Sequence, residues 1–166
     1  MLLGVDSLGI VLTDAYLEAV RRRPEGKDPL GDDGRAGLLT EGLARIDAVL
    51  APNSPCGQCY QAELYRMRGE LLLARDGLAA TDESLACFER AMERGREKAA
   101  LAWELRAAMS IVRLRQRQGQ GYTAELVKAR ACLQGVYARF TEGFAYPDLE
   151  EAAVLIGPGE KMPQIA

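Results

Sequence analysis

Residues 60–75 have the sequence YQAELYRMRGELLLAR, in which Tyr60, Leu64, Met67 and Leu71 follow one another at intervals of three or four residues. This spacing places the apolar side chains on one face of an α-helix. The same spacing recurs at Leu39/Leu43/Ile46/Leu50, Leu85/Phe88/Met92, Leu101/Leu105/Ala108/Val112 and Leu126/Ala129/Leu133/Val136/Phe140. No segment alternates with comparable strength at the period of two that is typical of a β-strand. The sequence therefore predicts an all-α protein.

Clusters of Pro, Gly and Asp separate these periodic segments and mark the turns. The breaks predict helices over residues 2–22, 36–51, 58–75, 82–97, 99–118, 123–141 and 147–156. Residues 24–34 form a long predicted loop. Thr81 or Asp82 and Thr123 are the predicted N-caps of two helices, and Pro147 is the predicted start of the last one.

A weak internal repeat indicates how the helices are arranged. Glu63-Leu64 recurs as Glu104-Leu105, 41 residues later, and Gly69 is followed by the small residue Ser110 at the same separation. We therefore predict three antiparallel helical hairpins, over 2–51, 58–97 and 99–141, stacked as a short right-handed solenoid. Residues 147–156 form the predicted C-terminal capping helix of a single domain over 1–157, and residues 158–166 a flexible tail.

Composition excludes several classes of function. The 166 residues contain no histidine, which removes mechanisms that use a Ser-His-Asp or Cys-His arrangement and the zinc proteases. With 21 basic and 24 acidic residues, the net charge is −3, which argues against nucleic-acid binding. We expect no enzymatic activity, no cofactor and no metal site.

The N-terminal segment and the cysteines indicate the compartment. Acidic residues at Asp6, Asp14 and Glu18 interrupt the apolar N-terminal residues, so neither a signal peptide nor a membrane span is expected. The four cysteines are irregularly spaced and do not suggest a disulfide framework. These features predict a cytoplasmic protein.

Six stretches of the chain carry a resemblance to a known family. They are residues 15–18 (AYLE), 42–44 (GLA), 62–73 (AELYRMRGELLL), 87–91 (CFERA), 103–106 (WELR) and 137–144 (YARFTEGF). Over about residues 8–156 the chain resembles the C-terminal tetratricopeptide-like (TPR-like) region of large bacterial signal-transduction ATPases, which are joined to adenylate or guanylate cyclases or to DNA-binding domains. Maltose-activator-like transcriptional regulators belong to this group. The resemblance implies a scaffold or sensor surface for protein binding in signalling or transcriptional regulation.

The sequence departs from that family in three respects. It contains no Gly-rich phosphate-binding loop followed by Lys and Ser or Thr, so the resemblance implies no ATPase module. The loop over 24–34 is unusually long. Cys59 stands where the family often has an aromatic residue, which affects the packing expected at the start of the helix over 58–75.

Cys56 and Cys59 form a CxxC motif at a predicted helix N-terminus. A helix N-terminus can lower a thiol pKa, so a thiol-redox or thiol-sensing protein is the alternative hypothesis for function. Thioredoxin-like enzymes place this motif after a strand, and none is predicted here. The simpler interpretation is a helix-entry turn with incidental thiols. Cys87 and Cys132 lie on apolar helix faces, and we expect both to be buried.

Charged residues in two helices invite either a catalytic or a structural interpretation. Glu63, Arg66 and Glu70 share one helix face and can form a chain of ion pairs. Without a histidine or a metal ligand set, we favour a structural or groove-lining network, and the same applies to Glu104 and Arg106. The aromatic residues Tyr65, Phe88 and Trp103 match positions that fill the space between helices, and we expect them in the core.

The first helices of the predicted hairpins would form a concave surface. Its candidate partner-binding residues are Gln61, Tyr65, Arg68, Arg75, Arg106, Arg113 and Arg117. This mostly basic set would suit an acidic peptide or a C-terminal carboxylate. At the N-terminal end of the stack only Met1-Leu2-Leu3 is available as a cover, so a homodimer is also expected.

Overall fold

The computed structural model describes residues 31–52, 60–119 and 124–157. Within these ranges it contains six α-helices and no β-strand, which confirms the all-α prediction for this part of the chain. The helices are α1 (Gly31–Leu50), α2 (Gln61–Asp76), α3 (Thr81–Glu97), α4 (Leu101–Arg117), α5 (Ala124–Tyr137) and α6 (Pro147–Ile156), with a 3₁₀ turn at Gly77–Ala80. The predicted helix over 2–22, the Thr123 cap, the CxxC motif and the tail over 158–166 lie outside the described residues.

Two helix boundaries differ from the prediction by more than a turn. Helix α1 begins at Gly31 rather than at residue 36, so the last residues of the predicted 24–34 loop are helical. Once the buried turns around Leu39 are formed, extending a helix by one more turn costs little free energy. Helix α5 ends at Tyr137 rather than at 141, because the chain turns back there to pack Phe140 and Phe144 against the core.

The start of α3 also differs from the prediction. Neither Thr81 nor Asp82 caps the helix, because the 3₁₀ turn runs directly into α3 and leaves Ala80 at the N-cap position without a side-chain cap. The Thr81 hydroxyl instead donates a hydrogen bond back to the carbonyl oxygen of Leu78, at 2.7 Å. The prediction for Pro147 is confirmed, since this proline opens α6 in the first turn.

Apolar side chains pack into three neighbouring clusters. The N-terminal cluster joins α1 to α2 through Leu39, Leu43 and Leu71. The central cluster consists of Leu73, Phe88 and Leu114, and its Phe88 ring is fully buried, as predicted. We call the largest cluster, formed by the end of α3 with α4, α5 and α6, the C-terminal core.

Two glycines allow neighbouring helices to approach closely. A Cβ atom at Gly69 of α2 would lie 2.5 Å from Cε1 of Phe88 in α3, and a Cβ atom at Gly95 of α3 would lie 2.9 Å from the Glu104 nitrogen of α4. Both distances are shorter than real Cβ contacts. The absence of a side chain at these two positions therefore sets the separation of α2 from α3 and of α3 from α4.

Side-chain contacts fix the relative directions of the helices. Helices α1 and α2 run antiparallel: Gly42 of α1 faces Leu71 of α2, whereas Asp47, later in α1, pairs with Arg68, earlier in α2. Helices α2, α4 and α6 run in the same direction. Pairs that join α2 to α4 are Tyr60/Trp103, Glu63/Arg106 and Glu70/Ser110, and pairs that join α4 to α6 are Arg106/Asp148 and Arg113/Glu151. Helices α2, α4 and α6 therefore form one parallel layer.

The close approach at Gly69 leads to a stability prediction. We expect Gly69→Ala to lower the free energy of unfolding by about 1–3 kcal/mol, because the added methyl group overlaps a ring that is fully buried. The control is Gly37→Ala in α1, where a Cβ would have no neighbour within 4 Å. That change should instead stabilise the helix by about 0.5–1 kcal/mol. Urea unfolding followed by circular dichroism measures both, and equal effects at the two positions would contradict the close approach.

Candidate functional site: a polar seam along α2, α4 and α6

A buried cation lies at the centre of the parallel layer. Arg66 of α2 donates a hydrogen bond from Nε to Oε2 of Glu63 at 3.0 Å, and its guanidinium also lies 3.7 Å from Oε1 of Glu70. The three residues are only 5%, 4% and 8% exposed, respectively. The predicted chain of ion pairs is therefore present, and it is buried.

The chain of charges continues from α2 into α4 and α6. The Ser110 hydroxyl of α4 donates to Oε1 of Glu70 at 2.7 Å, and Arg106 of α4 lies 3.9 Å from Glu63. Arg106 also donates from Nε to Oδ2 of Asp148 in α6, at 2.7 Å. We call the connected set the polar seam, and its members are Asp148, Arg106, Glu63, Arg66, Glu70 and Ser110.

Sequence reasoning missed two members of the polar seam. The internal repeat identifies Ser110 only as a small residue 41 positions after Gly69. Its hydroxyl in an otherwise apolar stretch of α4 is the sequence signal for a buried hydrogen bond. Asp148 lies in the first turn of α6, where a carboxylate interacts favourably with the helix dipole whether or not it has a partner in another helix. Its pairing with Arg106 spans 42 residues and has no local signature.

A third buried carboxylate lies on α4, outside the polar seam. Glu104 of α4 is 1% exposed and accepts hydrogen bonds from two arginines. Arg96, in the last turn of α3, donates from Nε to Oε1 at 3.1 Å, and Arg139, just after α5, donates to Oε2. Glu104 therefore ties the ends of three helices together, in agreement with the structural role predicted for it.

The predicted partner-binding residues of α2 mostly face neighbouring helices. Tyr65 is half-buried, with the Arg90 guanidinium 5.6 Å from its ring centre. Arg68 is held between Asp47 of α1 at 2.7 Å and Glu83 of α3 at 2.9 Å. Burial acts to lower the pKa of Arg68, but its hydrogen bonds outweigh this effect and raise the pKa above its usual range.

The remaining candidates lie at the ends of α2 and along α4. Gln61 is half-buried at the start of α2, and Arg75 pairs with Asp76 at the helix end. Arg106 and Arg113 turn towards α6, where Arg113 pairs with Glu151, and Arg117 is exposed at the end of α4. The seven residues do not form one cluster, and carboxylates accompany four of the five arginines.

The structure describes two of the four cysteines, Cys87 and Cys132. Cys56 and Cys59 lie outside the described residues. Cys87 is buried as predicted, and Arg68 donates to its Sγ at 3.2 Å. Cys132 is exposed, so its predicted burial is wrong. The core-facing line of α5 runs through Leu126, Ala129 and Leu133, and Cys132 points away from that line.

Among the described residues, no group of three His, Cys, Asp or Glu side chains comes together as a metal site. The buried carboxylates Glu63, Glu70 and Glu104 accept hydrogen bonds or ion pairs from arginine or serine. None of the helices over 31–52, 60–119 and 124–157 is long and apolar enough to cross a membrane.

No protein-family model, curated protein or solved structure gives a significant match to the chain.

Arg66 should be among the most sensitive positions for stability. We expect Arg66→Met to lower the free energy of unfolding by about 3–5 kcal/mol, because two buried carboxylates lose their shared cation. The matched control is Arg45→Met in α1, which removes an equivalent Arg–Glu pair with Glu41 at an exposed position. It should change the free energy by at most about 0.5 kcal/mol. Similar unfolding midpoints for the two variants would contradict a stabilising role for the buried pair.

The two described cysteines should differ in reactivity. Burial raises the pKa of the Cys87 thiol, and the opposing effect of the Arg68 hydrogen bond does not offset this. In a Cys56→Ser/Cys59→Ser background, iodoacetamide should therefore modify Cys132 at least about 100-fold faster than Cys87 in the native protein. Peptide mass spectrometry over time gives both rates. The difference should disappear in denaturant, and equal native rates would place Cys87 at the surface.

Proposed function

We propose that this protein is a non-catalytic protein–protein interaction module built from stacked helical hairpins. In this proposal α2 pairs with α3, α4 pairs with α5, and α6 caps the stack as in TPR-like solenoids. The parallel contacts of α2 with α4 and of α4 with α6 support this arrangement. Such contacts between alternate helices are typical of hairpin repeats stacked in register.

The curvature of the stack follows from which helices touch. Within the described residues, α2, α4 and α6 pack against each other in sequence, whereas α3 and α5 have no comparable contact. Helices that lie close together belong on the inside of a curved stack, and those that spread apart belong on the outside. The α2–α4–α6 layer is therefore the proposed concave, partner-binding side.

The observation that carries the proposal is that buried charged residues join neighbouring helices. The polar seam and Glu104 place buried charges between helices, where they hold α2, α4 and α6 in one register. This use of charge supports a rigid binding scaffold more than a reaction centre, since each buried carboxylate is already engaged. The resemblance to bacterial regulators extends the proposal to a cytoplasmic role in signalling or transcriptional regulation.

Aromatic side chains give the proposed surface its anchors. Tyr60 is 38% exposed and its ring lies 5.9 Å from that of Trp103, which brings together the starts of α2 and α4. Tyr146, directly before α6, is 71% exposed. Exposed tyrosine and tryptophan residues frequently dominate the binding energy of protein interfaces. These three residues define the aromatic edge of the layer.

Affinity capture from native cytosol tests the proposed function. A stoichiometric partner should be recovered by the wild-type protein and lost with Tyr60→Ser/Tyr146→Ser, since losing two aromatic anchors costs about 2 kcal/mol or more. A Leu78→Ser variant, which changes an exposed apolar residue in the 3₁₀ turn, serves as the control and should retain the partner.

The cysteines provide the test of the alternative hypothesis. A Cys56→Ser/Cys59→Ser variant should capture the same partner as the wild type if the motif is incidental. If the captured species are mixed disulfides that vanish in this variant, the scaffold proposal fails and thiol chemistry replaces it.

A further inference from the structure

Helix α6 differs in charge from the helix on which it lies. Helix α4 carries four arginines and a single glutamate, whereas α6 carries three carboxylates and no basic residue. The glutamate of α4, Glu104, is already engaged by Arg96 and Arg139. The surface that α4 presents to α6 is therefore basic, and α6 is the acidic segment that covers it.

Contacts along the α4–α6 interface combine apolar and charged groups. Leu149, Ala152 and Leu155 of α6 are buried in the C-terminal core. On the adjoining face, Asp148 pairs with Arg106, and Glu151 pairs with Arg113. The structure thus contains a complete example of what this surface recognises, namely a short helix with apolar residues at i, i+3 and i+6 and acidic residues at i−1 and i+2.

Several features make α6 exchangeable. With ten residues it is shorter than the length at which an isolated helix is stable in water, so its helicity depends on docking. Its two ion pairs are partly exposed, with side chains 26–52% accessible, and ion pairs at such positions contribute little to the free energy of docking. Residues 138–146 connect it to α5 without a helix of their own, and Gly143 in this connection has a positive φ of 80°.

A longer helix could make contacts that α6 does not make. Helix α4 has 17 residues and α6 has ten, a difference of about 10 Å in length. Arg117 lies one turn beyond Arg113 and is exposed. A partner helix that carries further acidic residues beyond the position of Glu151 would reach Arg117 and so make an ion pair that α6 does not make.

We propose that α6 occupies in cis the docking surface for an acidic amphipathic helix of a partner protein, which binds to α4 and α5 when α6 leaves. This inference rests on the proposed function and specifies the partner. Because α6 is tethered, it competes at an effective concentration of about millimolar, which weakens the apparent affinity of the partner. The segment therefore keeps the surface covered until a matching helix is present.

The direct test uses α6 itself as the probe. A fluorescein-labelled peptide of residues 144–157 is titrated into the full chain carrying Leu149→Ala and Leu155→Ala, which weaken the docking of the tethered helix. Fluorescence anisotropy should show binding at least about tenfold tighter to this variant than to the wild type. Circular dichroism verifies that the variant remains helical. No binding to a folded variant would overturn the proposal.

The charge requirement is tested by exchanging one ion pair. Introducing Arg113→Glu into the same variant should lower its affinity for the wild-type peptide at least about fivefold. A peptide with Glu151→Arg should restore the affinity. Arg113 is chosen over Arg106 because it lies outside the polar seam. An Arg45→Glu control in α1 should leave binding unchanged. Binding that is insensitive to the exchange would show that apolar contacts alone are recognised and would overturn the acidic-helix assignment.

Hydrogen exchange on the unmodified protein tests the opening of α6 without relying on any variant. Amides of residues 150–156 should exchange faster than those of α4 under native conditions, and adding a longer acidic competitor helix should leave α4 protected. If α6 exchanges only with global unfolding, it is a permanent part of the core and the proposal falls. The proposed function would survive that result, because partner capture through the aromatic edge does not require α6 to leave.

Discussion

The guanidinium of Arg66 is the group on which the parallel layer depends. Arginine stays protonated at any physiological pH, so burying it requires carboxylates close by. Glu63 and Glu70 supply them from the same helix. From α4, Arg106 lies 3.9 Å from Glu63, and the Ser110 hydroxyl donates a hydrogen bond to Glu70. Arg106 then reaches Asp148 of α6. One buried cation in this way fixes the register of three helices.

Close packing makes this arrangement possible. Gly69 lets α2 lie directly against the Phe88 ring of α3, and Gly95 lets α3 lie against the backbone of α4. A larger residue at either position would move α2 away from α4 by way of α3. A hydrogen bond such as that between Ser110 and Glu70 is lost when its donor and acceptor move apart by several tenths of an ångström. The buried ion pairs and hydrogen bonds therefore depend on the close packing that the two glycines allow.

The helices and much of the core could be predicted from the sequence, because apolar periodicity is a local signal. Leu64, Met67 and Phe88 occupy the buried positions that their spacing indicated. The errors have specific physical causes. A 3₁₀ turn leads directly into α3, so no N-cap forms at Thr81. Helix α5 ends early because the chain turns there and packs the apolar side chains of Phe140 and Phe144 against the core. Cys132 is exposed because the buried face of α5 is narrower than the apolar pattern suggested.

The site was predictable only in part, because its decisive contacts join residues far apart in the chain. The pattern of Glu63, Arg66 and Glu70 within one helix was visible, whereas the pairing of Arg106 with Asp148 and of Arg113 with Glu151 depends on how α6 lies on α4. For this reason Arg106 and Arg113, which looked available for a partner, are engaged with carboxylates of the same chain. A further consequence follows from the shared direction of α2, α4 and α6. Three helix N-termini with partial positive charge therefore lie side by side, and parallel dipoles in this arrangement repel one another. Glu63, Glu104 and Asp148 in the first turns, with Arg75, Arg115 and Arg117 in the last turns of α2 and α4, carry charges opposite to those of the helix ends, so they reduce the repulsion that a parallel layer would otherwise impose on itself.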